Sequence, residues 1–195
     1  MRSRLPSRTE AWARLQAAAP PAWVLRHCRA VEALAVAMAE AAHRSGHAVD
    51  ADLVARAAIL HDIGRSVTQD VRHAGIGADL LRPDMPEALA RAVETHTGAG
   101  IPPEEAHALG LPERDYMPRS LEERIVAHAD NLYSGDKRLD LARIEAKYRD
   151  RGLDAAWRRI EALHQELCRE LDADLETLEP ARLADLPEAA ADQGP

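Results

Sequence analysis

Apolar residues recur at three- and four-residue steps along most of this chain, and nowhere do they alternate over the length of a strand. The clearest case is a helix expected from residue 22 to 43, where Val24, Val31, Leu34, Ala35, Met38 and Ala42 share one face. His27 falls on or beside that face, three residues after Val24 and four before Val31. A shorter helix is expected before it, from residue 9 to about 18, stopped by Pro20-Pro21. Ser45-Gly46-His47 closes the long helix, with Gly46 as its left-handed cap. Asp50 caps the next one, which carries Leu53, Val54, Ala57, Ala58 and Leu60 and ends in His61-Asp62.

A polar loop over residues 65–72 then leads to His73, which opens a helix through Leu81. Residues 87–96 are expected to be helical, and so, after a Gly- and Pro-rich turn, are residues 104–109. Ser120 with Glu123 three residues later has the capping-box spacing, and the helix it starts presents Ile125, Val126, Ala129 and Leu132. Asp130 stands inside that apolar pattern. Beyond Gly135 the chain is charged and helical, over 138–148 and again from 153 to about 178. The expected organisation is a short N-terminal helix (1–19), a main helical unit (20–150), a C-terminal helix packed on it (151–178) and a loose tail (179–195). The fold class is all-α, a bundle of helices.

Composition narrows this picture. With 195 residues the chain suits one domain with appendages. Hydrophobic residues make up 46% but aromatic ones only 3%, with no Phe, so Ala, Leu, Val and Ile must build the core. The formal charge of −8 argues against a nucleic-acid groove or an anionic membrane surface as the main partner. A small phosphate ester stays compatible, because bound cations reverse the local field. Cys28 and Cys168 lie far apart without a CxxC spacing and read as small buried hydrophobes in a reducing compartment. No apolar run approaches the roughly 20 residues that span a bilayer. Residues 1–6 are not followed by the apolar stretch of a secretory signal, so a cytoplasmic location is expected. Trp12, Trp23 and Trp157 read as core or boundary packing rather than as a stacking platform.

The chemistry concentrates in a few polar residues on these apolar faces. A carboxylate turned toward a core costs several kcal/mol unless it is paired or bound to a cation, and Asp62 and Asp130 both raise that problem. With His27, His61, His73 and His96 they form a set in which each member lies at the end or on the inner face of a helix, as in metal sites built inside bundles. Imidazole with carboxylate suits Mn, Fe, Co, Ni or Zn, and the lack of a Cys ligand argues against a structural zinc clip. Six such side chains exceed the needs of one ion that also holds water and substrate. Two ions bridged by one carboxylate suit in-line displacement at phosphorus. Neither a Gly-x-Ser-x-Gly elbow nor a P-loop is present, so no protein nucleophile is expected. Arg65, three residues past Asp62, is placed to assist catalysis and reach a substrate phosphate in bidentate fashion, and Lys137 and Arg138 are further phosphate-binding candidates. His128 points about 200° from Asp130 on a helix and reads as structural or exposed. His43, His47, His107 and His164 have no site context.

Five segments carry a family resemblance: His27-Cys28-Arg29-Ala30-Val31, Leu60-His61-Asp62-Ile63-Gly64-Arg65, Arg72-His73-Ala74-Gly75, Glu94-Thr95-His96-Thr97-Gly98 and His128-Ala129-Asp130-Asn131. Over roughly residues 20–140 the chain resembles the HD superfamily of metal-dependent phosphohydrolases, in its HDIG subset of small prokaryotic proteins. The resemblance implies an HD-domain helical bundle in which His27, His61, Asp62 and Asp130 hold a first ion. His73 and His96 would hold a second, with Asp62 bridging. It implies a phosphomonoesterase or phosphodiesterase that attacks a nucleotide or another small phosphate ester through a metal-activated water. The cyclic-dinucleotide branch of the superfamily carries Gly-Tyr-Pro after the doublet and a Lys three residues past the Asp. Here there is no Gly-Tyr-Pro and that residue is Arg65, so the resemblance does not extend to a cyclic dinucleotide. Two alternatives stay open at this point: a diiron oxygenase on the same scaffold, and a non-catalytic nucleotide-binding regulatory module. A homo-oligomer is compatible with either.

Overall fold

The long apolar stripe becomes the central helix α2 (Ala22–Arg44), whose buried face runs through Val24, His27, Cys28, Val31, Leu34, Ala35, Met38 and Ala42. The structure, a computed structural model, describes residues 4–184. Ahead of α2, α1 (Arg8–Ala17) opens one residue earlier than the apolar pattern implies. Ser7 caps it: Ser7 Oγ accepts from the Glu10 amide at 3.2 Å, and the Ser7 amide donates to Glu10 Oε2 at 2.7 Å. Glu32, fully buried on α2, accepts from Arg8 Nε at 2.6 Å and from Trp12 Nε1 at 3.1 Å, which pins α1 to α2 with a satisfied charge.

Gly46 (φ +83°) turns the chain out of α2, and the His47 amide reaches back to the Ala42 carbonyl at 2.9 Å. Asp50 caps α3 (Ala51–Leu60), accepting from the Leu53 amide at 2.9 Å. The segment after the doublet is not simply a loop: Ile63–Ser66 winds one tight 3-10 turn before α4 (His73–Leu81). Next come α5 (Glu87–Glu94), α6 (Pro103–Ala108) and α7 (Leu121–Asn131). The α7 cap is half as expected. Ser120 Oγ accepts from the Glu123 amide, but Glu123 Oε2 takes the Arg119 amide at 2.9 Å instead of that of Ser120.

A short antiparallel hairpin follows, β1 (Tyr133–Ser134) and β2 (Lys137–Arg138), with Gly135 (φ +59°) in its turn. Strands of two residues are too short to show alternation, which is why the sequence pattern hides them. Residues 137–138 are therefore strand, and α8 (Leu141–Arg149) starts beyond them on the cap Asp140. The last helix, α9 (Asp154–Glu170), stops well before residue 178. Asp172 adopts a left-handed conformation (φ +46°), and the Ala173 amide bonds the Cys168 carbonyl at 3.1 Å, a helix stop made without glycine. The Ala181 amide then donates to Ala33 on α2 at 2.9 Å, and the rest of the expected tail, residues 185–195, lies outside the described residues.

α2 packs against α3 and α7, α4 against α5, and α9 against α7 and α8. One apolar cluster runs through all of these, from Leu15 and Met38 to Leu60, Leu89, Ile125 and Leu167. Each fully buried Leu or Met contributes about 1.5–3 kcal/mol. Trp12 and Trp157 join this core as expected, whereas Trp23 is 38% exposed. Both cysteines are free thiols, with Cys28 buried. Among the described residues no helix is long and apolar enough to cross a membrane.

His128 is neither exposed nor idle. Its Nε2 lies 2.9 Å from Nδ1 of His164, whose Nε2 in turn lies 3.3 Å from Cys168 Sγ, so a buried polar chain joins α7 to α9. His128 Nδ1 is buried without a partner. Burial, reinforced by the facing His164, pulls its pKa from 6.5 down to about 3. The unfolded chain then binds the extra proton first, so this histidine leaves stability intact above pH 6.5 and erodes it as pH falls from 6.5 toward 3. His128→Leu should shrink the loss of urea midpoint between about pH 7.5 and about pH 4.5 relative to wild type. An equal loss in both proteins would contradict this account.

Candidate metal centre

Each candidate ligand is placed by its local backbone. His61 and Asp62 sit where α3 gives way to the 3-10 turn, His73 is the first residue of α4, and His96 lies just past the cap of α5. His27 comes from the buried face of α2 and Asp130 from the last turn of α7. Three of the imidazoles are aimed in the same way. Nδ1 of His61, His73 and His96 hydrogen-bonds the carbonyl three residues earlier, of Ala58, Asp70 and Val93, at 2.8, 2.7 and 2.6 Å. His27 Nδ1 instead bonds Gly135 in the hairpin turn at 2.7 Å. A neutral imidazole whose Nδ1–H is given to a carbonyl turns an Nε2 lone pair the other way.

All four Nε2 atoms converge. Those of His27 and His61 are 3.1 Å apart, and so are those of His73 and His96. Metal–nitrogen bonds of about 2.0–2.1 Å place two adjacent ligand nitrogens roughly 3 Å apart, so both pairs have the spacing of neighbours on one cation. Asp62, only 1% exposed, lies between the pairs. Its Oδ2 is 3.7 Å from Nε2 of both His27 and His61, while its Oδ1 is 3.1 Å from His73 Nε2 and 3.7 Å from His96 Nε2. Asp62 Oδ1 is buried without an aligned hydrogen bond. Asp130 Oδ1 completes the first group, 2.8 Å from His27 Nε2 and 3.6 Å from His61 Nε2. Two clusters of metal-holding geometry result, His27/His61/Asp130 and His61/Asp62/His96. Converging lone pairs, two carboxylates and an orphaned buried oxygen fit a divalent cation.

The electrostatics agree. Burial opposes charge on Asp62, yet the facing imidazoles of His61, His73 and His96 hold its carboxyl well below the usual range. Asp130 is lowered in the same way: burial opposes its charge, but the hydrogen bond from His27 and the nearby imidazoles of His61, His27 and His96 together prevail. His61 drops to about 4, because burial exceeds the pull of both carboxylates, and stays neutral. His27 rises to about 9 despite its burial, because Asp130 and Asp62 stabilise its proton. A cation in the centre would displace that proton. Cys28 Sγ is 3.9 Å from the Nδ1 side of His61, not the converging Nε2 side, and burial pushes its pKa up, so it stands outside the ligand set.

The side chains open into a cavity of about 330 Å³, lined also by Trp23, Arg65, Thr97, Tyr133, Lys147, Tyr148 and Arg151. Arg65 stands where the sequence places it: its Nε is 2.6 Å from Asp62 Oδ2, and its guanidinium lies over the Trp23 ring at 5.5 Å from the centroid. Trp23 therefore belongs to the cavity wall, not to the core. Lys137 and Arg138 do not line the cavity. Hairpin pairing turns them elsewhere, and Arg138 is occupied by the Leu175 carbonyl and the Tyr133 ring. Sequence reading missed Thr97, Lys147, Tyr148 and Arg151. The one available signal was the four-residue spacing of Lys147 and Arg151, common on any charged helix.

Gly64 holds the two halves of the centre together. A Cβ there would stand 2.0 Å from the His73 carbonyl oxygen and 2.7 Å from the Gly77 amide nitrogen, so only glycine lets α4 approach the 3-10 turn. Gly64→Ala should destabilise the fold by about 1–3 kcal/mol and weaken metal retention by displacing His73. Urea unfolding with metal analysis checks this, and wild-type values for both would refute it.

The sequence matches the HD domain family over residues 24–135, and the chain belongs to that family. A tRNA (cytidine(56)-2'-O)-methyltransferase of Thermoplasma volcanium is 43% identical over 157 residues, 80% of this chain and 45% of that protein. A protein of the same name from Picrophilus torridus is 43% identical over 156 residues, 80% of this chain and 44% of that protein. The chain thus spans less than half the length of these two relatives. An uncharacterised protein of Methanocaldococcus jannaschii is 47% identical over 129 residues, 66% of this chain and 76% of that protein. Among solved structures, the HD domain of the L. monocytogenes phosphodiesterase PgpH, in complex with cyclic-di-AMP, superposes with a TM-score of 0.52 at 17% identity. That match covers 84% of this chain and 95% of PgpH's domain, and it establishes a shared helical fold.

Proposed function

We propose that this chain is a metal-dependent phosphohydrolase acting on a small phosphate ester, with His27, His61, Asp62, His73, His96 and Asp130 as the ligands of a binuclear centre. The observation that carries this reading is the division of the Asp62 carboxylate, one oxygen toward each pair of imidazoles. When bound, a pair of divalent ions of the Mn, Fe, Co, Ni or Zn type supplies an activated water and neutralises phosphoryl charge. The chain's own groups do the rest. The carbonyl-tethered imidazoles keep their Nε2 atoms aimed without reorganisation. Asp62 and Asp130 stay ionised at neutral pH and hold the cation charge. Arg65, braced between Asp62 and Trp23, is placed to grip a phosphoryl oxygen and to stabilise charge that builds there.

Cationic side chains on the cavity wall favour an anionic substrate over an oxygenase reading. The complete ligand set favours turnover over a purely regulatory module. Methyl transfer is a property named for relatives more than twice as long as the segment they share with this chain, and it is not carried over. Their name does add tRNA-derived oligonucleotides to the substrate panel.

Metal analysis after loading with Mn or Co should find about two ions per wild-type chain and about one in His96→Ala. Equal stoichiometry in the two proteins would leave no place for a second ion at His73 and His96. Asp62→Ala should abolish hydrolysis of phosphoesters across a panel of nucleotides and p-nitrophenyl phosphate while circular dichroism keeps its helical signature. Hydrolysis surviving in that variant would sink the proposal.

A further inference from the structure

Most arginines near the metal centre and the core are held by carboxylates. Arg82 and Arg114 share the buried Glu94 at 2.7 and 2.9 Å, Arg124 holds Glu170 at 2.7 Å, and Arg159 holds Glu105 at 2.6 Å. Lys147 and Arg151 break that habit. Both line the cavity of the metal centre, and among the described residues neither has a hydrogen bond or an ion pair with a carboxylate. Lys147 lies in the last turn of α8 and Arg151 in the turn just past it, where its amide bonds the Tyr148 carbonyl at 3.1 Å. Acidic residues outnumber basic ones 33 to 25, so carboxylates to neutralise them are not scarce. Lys147 is half-buried and feels the charges of Asp130, Arg151 and Arg65, which places it electrostatically between the metal centre and two further cations. Two uncommitted hydroxyls share this wall. Among the described residues Thr97 Oγ1 is buried with no partner and Tyr148 Oη forms no hydrogen bond; the latter lies 3.9 Å from where a Cβ on Gly98 would stand.

We propose that Lys147 and Arg151 form an anion subsite beside the His/Asp centre that binds a second phosphate, so that the substrate is a small molecule carrying a diphosphate or longer phosphate chain. This rests on the phosphohydrolase reading for the first phosphate. Two cations without internal partners on one cavity wall, Lys147 half-buried and Arg151 exposed at the rim, are the arrangement that a compact dianion satisfies. Arg65, held over Trp23, lines the same cavity as a third cation. The cavity of about 330 Å³ takes a nucleoside diphosphate in part, with the base toward the mouth. A long RNA is the weaker fit, because the chain's net charge is −8. The subsite also lies at and just past the end of α8, outside the residues 24–135 that match the HD family.

The test compares the full chain with the double variant Lys147→Ala/Arg151→Ala and with Lys147→Arg/Arg151→Lys, all loaded with Mn and checked for helical content. For the alanine pair, kcat/KM for ADP should fall at least about tenfold further than kcat/KM for p-nitrophenyl phosphate, which has no second phosphate. The charge-preserving pair should restore most of the difference. Calorimetry with inorganic pyrophosphate should show binding weakened about tenfold in the alanine pair, with orthophosphate much less affected. Equal losses for ADP and p-nitrophenyl phosphate, or unchanged pyrophosphate binding, would overturn the subsite. If the wild type hydrolyses neither compound, the phosphohydrolase reading falls and the pyrophosphate titration still decides the subsite. Tight binding of a tRNA-derived oligonucleotide with none of pyrophosphate would replace it with an RNA surface.

Discussion

A buried negative charge with its neighbours' lone pairs pointed at it governs this molecule. Asp62 is almost wholly enclosed, and on its own such a carboxylate would cost several kcal/mol. The fold answers by surrounding it with four imidazoles and one guanidinium. That answer dictates much else. α3 must end at the doublet, the tight turn after it must carry a glycine so that α4 can close in, and α5 must stop where His96 can swing inward. Glu94, clamped by arginines two residues before His96, secures that last position from the outside.

Much of this was legible in the amino-acid order, for a physical reason. Helical periodicity is a local signal, and polar residues that interrupt a buried stripe stand out because burial makes them expensive. His27, Asp62 and Asp130 could therefore be picked out from pattern alone, and the set of six does converge. What stayed hidden depended on contacts between distant segments. The hairpin at 133–138 is too short to have a period, so Lys137 and Arg138 were placed in the site although pairing turns them away. The end of α9 uses Asp172 in a conformation normally given to glycine. The pairing of His128 with His164 joins residues 36 apart in sequence. Lys147 and Arg151 look like any solvated charges until the end of α8 and the turn after it are seen to wall the cavity.

The charge distribution divides the protein into two regimes. Over most of the surface, arginines and carboxylates satisfy one another, and the excess of acid is spread thinly. Inside the cavity the sign reverses on one wall. A core shared with a broad family thus meets a wall supplied by later residues, and the two are separable in sequence. The same segment, at 43% identity, forms less than half of longer proteins named for tRNA modification, in keeping with a unit whose core tolerates different surroundings.

Three of the four histidines take their aim from a carbonyl one turn back in their own segment, but His27 takes its aim from Gly135, 108 residues downstream. The local tethers need only their own helix ends and, for His73, the turn at Asp70. The remote one exists only while the hairpin is seated against α2. Seating that small ribbon and completing the ligand cage are therefore one event, so whatever loosens the ribbon also opens the cage on a single side, leaving the other three rings as a waiting half-socket.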